Sequence, residues 1–399
     1  MPHVPPITGS DPSLDAPVAP YDHWSLAPGL IYLNHGAFCP VPRALQQVQD
    51  RWRQRIESNP ARFIMEELFD HLADAAQPLA AFVGTSADRL ALVENASSGI
   101  ATVLAGLDLG PGDRVLTTSH GYGAVRNQLT ELARRRGIQP VEVALPCPVS
   151  DPIQILEALR PELDTGAALL IVDHVTSPTS TILPVAEIVA LARDRGIPVL
   201  VDGSHAPGML ELDVDAIGAE WYVGNCHKWL CNPRGTAFLA CADQAVQPRP
   251  QVISHAHGQG FPAEFRKIGS RDASAWLSVP DALDWHERMG GAALRARNTG
   301  LAAAAADRIC EALGSACTAP KSMRGAMATI RMPGLPGTRE AASALYRRLW
   351  DHEVELLCVP FADALWVRIS THAYNSLPEI DAVIAALQAA SGDLQTGAT

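Results

Sequence analysis

The chain has 399 residues, 47% of them hydrophobic and 19% charged, with 31 Lys and Arg against 43 Asp and Glu for a formal net charge of −12. That length exceeds one ordinary domain and supports a large core, and the composition excludes a disordered, collagen-like or highly charged chain. Without a global basic field there is nothing to hold a phosphate backbone, so nucleic acid is not an expected partner.

The N-terminus, MPHVPPITGSDPSLDAPVAPYDHW, has neither a basic leader nor an apolar run, so it does not read as a signal peptide. Apolar stretches such as AALLIV at 167–172 are too short to span a bilayer, which predicts no membrane partner and a cytoplasmic location. The eight cysteines, at 39, 147, 226, 231, 241, 310, 317 and 358, form no CxxC pair and no Cys/His cluster with zinc-ligand spacing. Neither a disulfide nor a metal site is expected; the thiols read as small buried apolar groups.

In chain order, residues 1–30 are rich in Pro, Asp and Ser without periodicity and predict an extended arm with a poorly ordered end. Helices are expected at 43–58 and 66–84. Seven short apolar runs follow: LALVEN at 90–95, RVLTTS at 114–119, PVEVAL at 140–145, ALLIVDHV at 168–175, PVLVDGS at 198–204, WYVGN at 221–225 and TAFLAC at 236–241. Helical stretches such as AVRNQLTELARRRG and VAEIVALARDRG separate most of them and close on Gly. Strands alternating with helices imply crossover connections, hence an α/β fold with a mostly parallel seven-stranded sheet. After about residue 290 the pattern changes to a long Ala-rich helix, two alternating segments, ATIRMP and LWVRIST, with a helix between them, and a helix after. This predicts an arm at 1–30, a large domain at 31–285 with 31–60 open to joining the small one, and a smaller α+β domain at 286–399.

The chemistry concentrates in three segments. GNCHKWLCNPRG places Lys228 just after a short strand in a Gly, Asn, His and Pro-rich loop, where a lysine can serve as a Schiff-base nucleophile. Upstream, PVLVDGSHAPG puts Asp202 at the carboxyl end of a strongly apolar strand, the place where open α/β sheets bind ligands, and an acid there can pair with a protonated pyridine nitrogen. ENASSGIATVLAGL ends a strand and starts a helix at Ser97, Ser98 and Gly99, an arrangement suited to a phosphate.

In that order these segments resemble the class V aminotransferase family of fold-type I pyridoxal 5'-phosphate enzymes, and within it the isopenicillin N epimerase-like branch. The matching stretches include YLNHGAFCPVPRAL, NPARFIMEEL, HVTSPTSTILP, VDGSHAPGM, GNCHKWL, GSRDASAWLSVPDALDW and VRISTHAYNSLPEID, and span about 31–382. The resemblance implies that Lys228 carries the cofactor and shuttles the α-proton, that Asp202 pairs with the pyridine nitrogen and that His205 meets the cofactor's phenolic oxygen. It assigns Ser97, Ser98, Asn225 and His227 to the phosphate, with Gly99 in the same cup. Ser270 would reach that phosphate from a second subunit, which implies a homodimer with shared active sites. Tyr122 is the expected ring-stacking aromatic, with His120 competing, and Ser177 a further contact. Arg368 would clamp the substrate α-carboxylate bidentately, assisted by Asn34, with Arg271 next in line. Cys39 stands where this branch usually carries Gly, and 252–269 is shorter than the corresponding loop.

Within such a family four outcomes compete at the α-carbon of an amino acid. Epimerisation needs an acid opposite Lys228, for which Tyr122, His120 and the histidines of 255–257 are candidates. Elimination by a C–S lyase, as on a cysteine conjugate or sulfoxide such as hercynylcysteine sulfoxide, needs only one base. Transamination is the third. Desulfuration would need a mobile loop cysteine, and GSACT, with Cys317, is misplaced for one. An epimerase-like reaction is the expected one, with C–S lyase and then aminotransferase as alternatives.

Overall fold

The computed structural model describes residues 13–396; the first twelve residues of the expected arm and the last three of the chain lie outside the described residues. The described part of the arm is anchored rather than loose. Trp24 is fully buried and packs edge-on against Tyr374 and Trp285, and the backbone N–H of Val18 donates to Ala373 O. Aromatic burial supplies what periodicity does not.

Strand β1 (Ile31–Tyr32) precedes a helix over Arg43–Ser58, as expected. The second helix starts earlier than expected, because Asn59 caps Pro60 and the chain then passes through one π-helical turn at Phe63–Glu67 into a helix at Leu68–Val83. All seven apolar runs are strands: β2 (Leu90–Val93), β3 (Arg114–Thr118), β4 (Gln139–Val143), β5 (Leu169–Asp173), β6 (Val199–Asp202), β7 (Trp221–Asn225) and β8 (Ala237–Cys241). They make one sheet in the order β2-β8-β7-β6-β5-β3-β4, with β8 antiparallel to both neighbours and the other pairings parallel. β5 to β8 are buried at every position, the pattern of strands covered by helices on both faces.

The C-terminal part holds a second sheet. β9 (Met327–Pro336) follows the Ala-rich helix Ala292–Leu313 and precedes a helix at Arg339–Trp350; β10 (Val354–Glu355) pairs in parallel with β1; β11 (Leu357–Phe361) and β12 (Ala364–Ser370) complete the antiparallel order β11-β12-β9. β10 and β11 were not expected from the sequence, since VELLCVPF is broken at Leu356 and carries Pro360, which is tolerated because β11 is an edge strand. β1 and the Asn34–Ser370 bridge bring the segment after the arm alongside this sheet.

The site is positioned by backbone approach. The 202–208 segment passes so close to the loop after β7 that a Cβ on Gly208, at φ +83°, would lie 2.7 Å from the backbone of Trp229. Gly208→Ala is therefore expected to destabilise the protein by roughly 1–3 kcal/mol. Gly110→Ala, with no atom within 4 Å of the added Cβ, should change it by about 0.5 kcal/mol or less. Urea unfolding midpoints check this, and equal midpoints for the two variants would contradict it.

Candidate active site

One cavity of about 620 Å³ opens at the carboxyl ends of β5, β6 and β7 and is closed on the far side by Leu357 and Arg368 of the second sheet. Asp202 ends β6 and sits in register with Asp173, which ends β5. Both line the cavity and are buried. Asp202 Oδ1 accepts from the N–H and hydroxyl of Ser204, which leaves Oδ2 without a hydrogen-bond partner among the described residues. Burial, and then the charge of Asp202, push Asp173 well above the usual carboxylate range. Asp173 is a cavity residue the sequence reading missed, although ALLIVDHV has the same apolar-run-then-Asp pattern as PVLVDGS.

Lys228 is half-buried, and its Nζ lies 3.1 Å from His205 Nε2. Burial pushes the ammonium down to about 8 and Arg368 adds to this, while Asp202 and Asp173 oppose it. His205 is held well below its ordinary value by burial, Lys228 and Arg368, so its ring is neutral. The indole N–H of Trp229 donates to His205 Nδ1 at 3.5 Å, which leaves the imidazole proton on Nε2, facing Nζ. A neutral imidazole presenting N–H to the lysine favours a free amine over an ammonium, which suits a nucleophile. The chain has three lysines: Lys267 lies over the Phe69 ring and Lys321 pairs with Asp307, so Lys228 is the one in the cavity.

The helix Ala96–Gly106 points its N-terminus at the same cavity. Asn225 Oδ1 takes the Ala96 N–H at 2.9 Å, Asn95 Oδ1 takes that of Ser98 at 2.8 Å, and the Asn95 carbonyl takes that of Gly99 at 3.1 Å. Among the described residues the Ser97 N–H has no partner. Ser97, Asn225 and His227 line the cavity and Ser98 and Gly99 do not. A Cβ on Gly99 would come within 2.8 Å of Val223, so this glycine lets the helix approach β7. His227 Nδ1 lies 2.6 Å from Thr236 O, and burial pushes its ring down to about 4.

Arg368, in the middle of β12, is 1% exposed. Its Nη1 donates to Ser177 O at 2.7 Å and Ser177 Oγ at 3.1 Å, its buried Nε has no partner, and among the described residues it forms no ion pair. Burial lowers it to about 10, while Tyr122, 45% exposed on the cavity wall, pulls it back up.

Other expected residues lie elsewhere. Asn34 donates to Glu355 at 3.0 Å and is outside the cavity lining. Arg271 is engaged by Glu94 and Phe265 O and stacks 3.6 Å over Trp276. Ser270 is exposed and off the cavity lining, as are His255 and His257. His120 is buried, bonded through Nδ1 to Thr179 at 2.9 Å and packed against Phe361, also off the lining. Cys317 lies in the second sheet region, 3.6 Å from Cys310, with Arg324 donating to its sulfur.

A lysine with a neutral imidazole partner, a carboxylate at a strand end and a free amide at a helix start, all at the carboxyl edge of a mostly parallel sheet, define a pyridoxal-phosphate enzyme of fold type I. The chain belongs to the aminotransferase class-V family, whose description it matches over residues 31–383. It is 32% identical over 388 residues to isopenicillin N epimerase of Streptomyces clavuligerus, covering 92% of this chain and 96% of that one. It is 33% identical over 386 residues to putative L-cysteine desulfhydrase 1 of Oryza sativa subsp. japonica, covering 87% and 80%. In fold it resembles the apo cysteine desulfurase from Thermococcus onnurineus NA1, with TM-score 0.76, 18% identity and 94% and 97% coverage. It likewise resembles the cystine C–S lyase C-DES in complex with its product cysteine persulfide, with TM-score 0.75, 21% identity and 90% and 97% coverage.

The residues present fit the cofactor. The unpaired Oδ2 of Asp202 suits a pyridinium nitrogen, the Ser97 N–H suits a phosphate oxygen, and the cavity volume is within the usual range for a cofactor with a small ligand. Lys228→Ala is expected to remove the visible cofactor absorption together with turnover. Asp202→Ala is expected to retain some cofactor and to slow α-deuterium exchange by roughly 10²-fold or more. Exchange at the wild-type rate in Asp202→Ala would contradict this placement.

Proposed function

We propose that this chain binds pyridoxal 5'-phosphate through Lys228 and acts at the α-carbon of an amino acid or amino-acid-derived substrate, in the first reading by α-epimerisation. The observation that carries the proposal is Arg368: a desolvated guanidinium with an unpartnered Nε and no carboxylate among the described residues, across the cavity from Lys228. A buried cation of this kind is costly unless a ligand supplies the anion, and an α-carboxylate matches its fork. Pyridoxal phosphate supplies an electron sink that renders the α-proton removable. Asp202 would keep the ring nitrogen protonated, with Ser204 fixing the carboxylate. Ser97, Ser98, Asn225 and His227 would hold the phosphate, with Gly99 keeping the helix close. His205 would stand by the phenolic oxygen, and Ser177 would orient Arg368. Lys228 Nζ, once free, would take and return the proton on one face.

Full-length correspondence with an epimerase, 96% of that relative's length against 80% for the desulfhydrase, supports the first reading. It requires an acid on the opposite face, and of the candidates considered Tyr122 is the one on the cavity wall. The second reading, β-elimination from a cysteine conjugate, is favoured by the presence of Lys228 as the single amine in the cavity, since elimination needs one base. Incubation with candidate L-amino acids in D₂O separates the outcomes. Epimerisation gives α-deuterated product of inverted configuration, elimination gives pyruvate with ammonia, and transamination gives a keto acid without ammonia. Absence of α-exchange with every α-amino acid tried would sink the proposal.

A homodimer is part of this proposal. Phe38, on the cavity wall, is 67% exposed, and Ser270 faces solvent, as expected of groups that a second subunit covers. A cytoplasmic location is supported by eight unpaired thiols. Sedimentation should give a dimer at assay concentration, and a fully active monomer would contradict it. Arg368→Lys should raise KM for an α-amino acid by about tenfold or more, worth roughly 1.4 kcal/mol, and leave an amine lacking the carboxylate unaffected. Equal losses for acid and amine would reassign Arg368 to folding.

A further inference from the structure

The GSACT segment, misplaced for sulfur transfer, supplies one half of a thiol pair that the proposed reaction does not use. Cys310 lies in the last turn of the helix Ala292–Leu313, and Cys317 follows that helix across a turn at Gly314, whose φ is +58°. The Ser315 N–H donates back to Cys310 O at 2.9 Å, Cys317 bridges to Ile330 of β9, and the Arg331 N–H donates to Ala316 O at 3.0 Å. Hydrogen bonds thus fix both backbones, and they hold the two sulfurs 3.6 Å apart with both residues half-buried.

A buried cation sits on this pair. Arg324 is 7% exposed, its Nε has no partner, and among the described residues it forms no ion pair. Its Nη1 donates to Cys317 Sγ at 3.0 Å. The neighbouring charges, Asp307 and Lys321, pair with each other. A desolvated guanidinium without a carboxylate is costly, and a thiolate at Cys317 supplies the countercharge. The hydrogen bond from Cys310 brings Cys317 down to about 7 against its burial, with Arg324 and then Lys321 helping and Asp307 opposing. The same hydrogen bond, then burial, raises Cys310, so the pair is a thiolate next to a thiol. Cys147 and Cys358 are also half-buried, but burial pushes them up to about 11 and about 12, and neither has a second sulfur within hydrogen-bonding reach among the described residues.

We propose that Cys310 and Cys317 form a reversible dithiol–disulfide site for a small hydroperoxide, with Cys317 as the attacking thiolate held by Arg324 and Cys310 as the resolving thiol. The Cys317 thiolate attacks one oxygen of hydrogen peroxide, the O–O bond breaks, and hydroxide leaves a sulfenic acid on Cys317. That hydroxide takes the Cys310 proton and departs as water. The Cys310 thiolate then attacks the sulfenic sulfur, the S–O bond breaks as the S–S bond forms, and the second hydroxide becomes water with the proton that Cys317 gave to solvent on ionising. Two thiols lose two electrons and two protons, and the peroxide gains them. Side-chain rotation of two short, unbranched residues suffices to bring the sulfurs from contact to bonding distance. A resolving thiol in contact with the oxidised sulfur also keeps Cys317 from the irreversible sulfinic and sulfonic states.

The test is independent of the reaction at Lys228. Full-length protein is reduced, exposed to a few equivalents of hydrogen peroxide, quenched with catalase, alkylated after denaturation and digested with trypsin without reductant. The tryptic peptide 309–321, ICEALGSACTAPK, carries both thiols and no other cysteine. It should appear unalkylated and lighter by two hydrogens, and take up two alkyl groups once dithiothreitol is added before alkylation. Its formation should outpace loss of the Cys147 and Cys358 thiols by at least about tenfold. Cys310→Ser should instead leave a dimedone-reactive sulfenic acid on Cys317, Cys317→Ser should leave Cys310 fully alkylated, and Arg324→Gln should slow disulfide formation at pH 7 by about threefold or more. A peptide 309–321 still doubly alkylated when Cys147 or Cys358 is oxidised, sulfinic acid on Cys317 in place of the disulfide, or an unchanged rate in Arg324→Gln would each overturn the proposal. The first two outcomes are read on the wild-type protein and need no variant to fold.

Discussion

A desolvated guanidinium facing a desolvated amine across one cavity is the constraint on which the rest of the site depends. Arg368 lies mid-strand in the second sheet with hydrogen bonds only to Ser177, and its charge contributes to lowering both Lys228 and His205. Two adjacent carboxylates at the ends of β5 and β6 pull the other way on Lys228, but burial and mutual repulsion raise Asp173. The result is a cavity with an acceptor at Asp202, a cation at Arg368 and an amine at Lys228 lowered to about 8. That distribution leaves room for an anionic, amine-bearing ligand, and it would be lost if any one of the three were solvated.

The sheet makes this arrangement available. Parallel strands direct their carboxyl ends to one edge, so Asp173, Asp202 and Asn225, each the last residue of its strand, arrive together without long-range pairing of side chains. Fine adjustment comes from close backbone approach. Gly203 lies over the Tyr222 ring, where a Cβ would fall 2.2 Å from the nearest ring atom, and Gly208 presses on Trp229. These contacts put His205 against Lys228 although 23 residues separate them.

Much of this was readable from the chain. The seven strands were explicit because covered parallel strands are continuous apolar runs, and Lys228 and Asp202 stood out as polar residues at the ends of such runs. What remained hidden depends on long-range contacts. Asn34 and Arg271 have the right chemistry for a carboxylate, but Glu355 and Glu94 engage them, and neither pairing is local in sequence. β10 and β11 are too short and interrupted to carry periodicity, and the arm is held by Trp24 and Tyr21 packing on Tyr374 rather than by a pattern.

The central claim is that Lys228 is the attachment point of the cofactor. Treating the protein with pyridoxal phosphate, reducing with borohydride and mapping the fixed adduct by peptide mass spectrometry tests it directly, because the chain offers only three lysines. A single modified peptide carrying the adduct on Lys228 is expected, with Lys267 and Lys321 unmodified at one equivalent of pyridoxal phosphate. An adduct on Lys267 or Lys321 in preference to Lys228, or none at all, would contradict it.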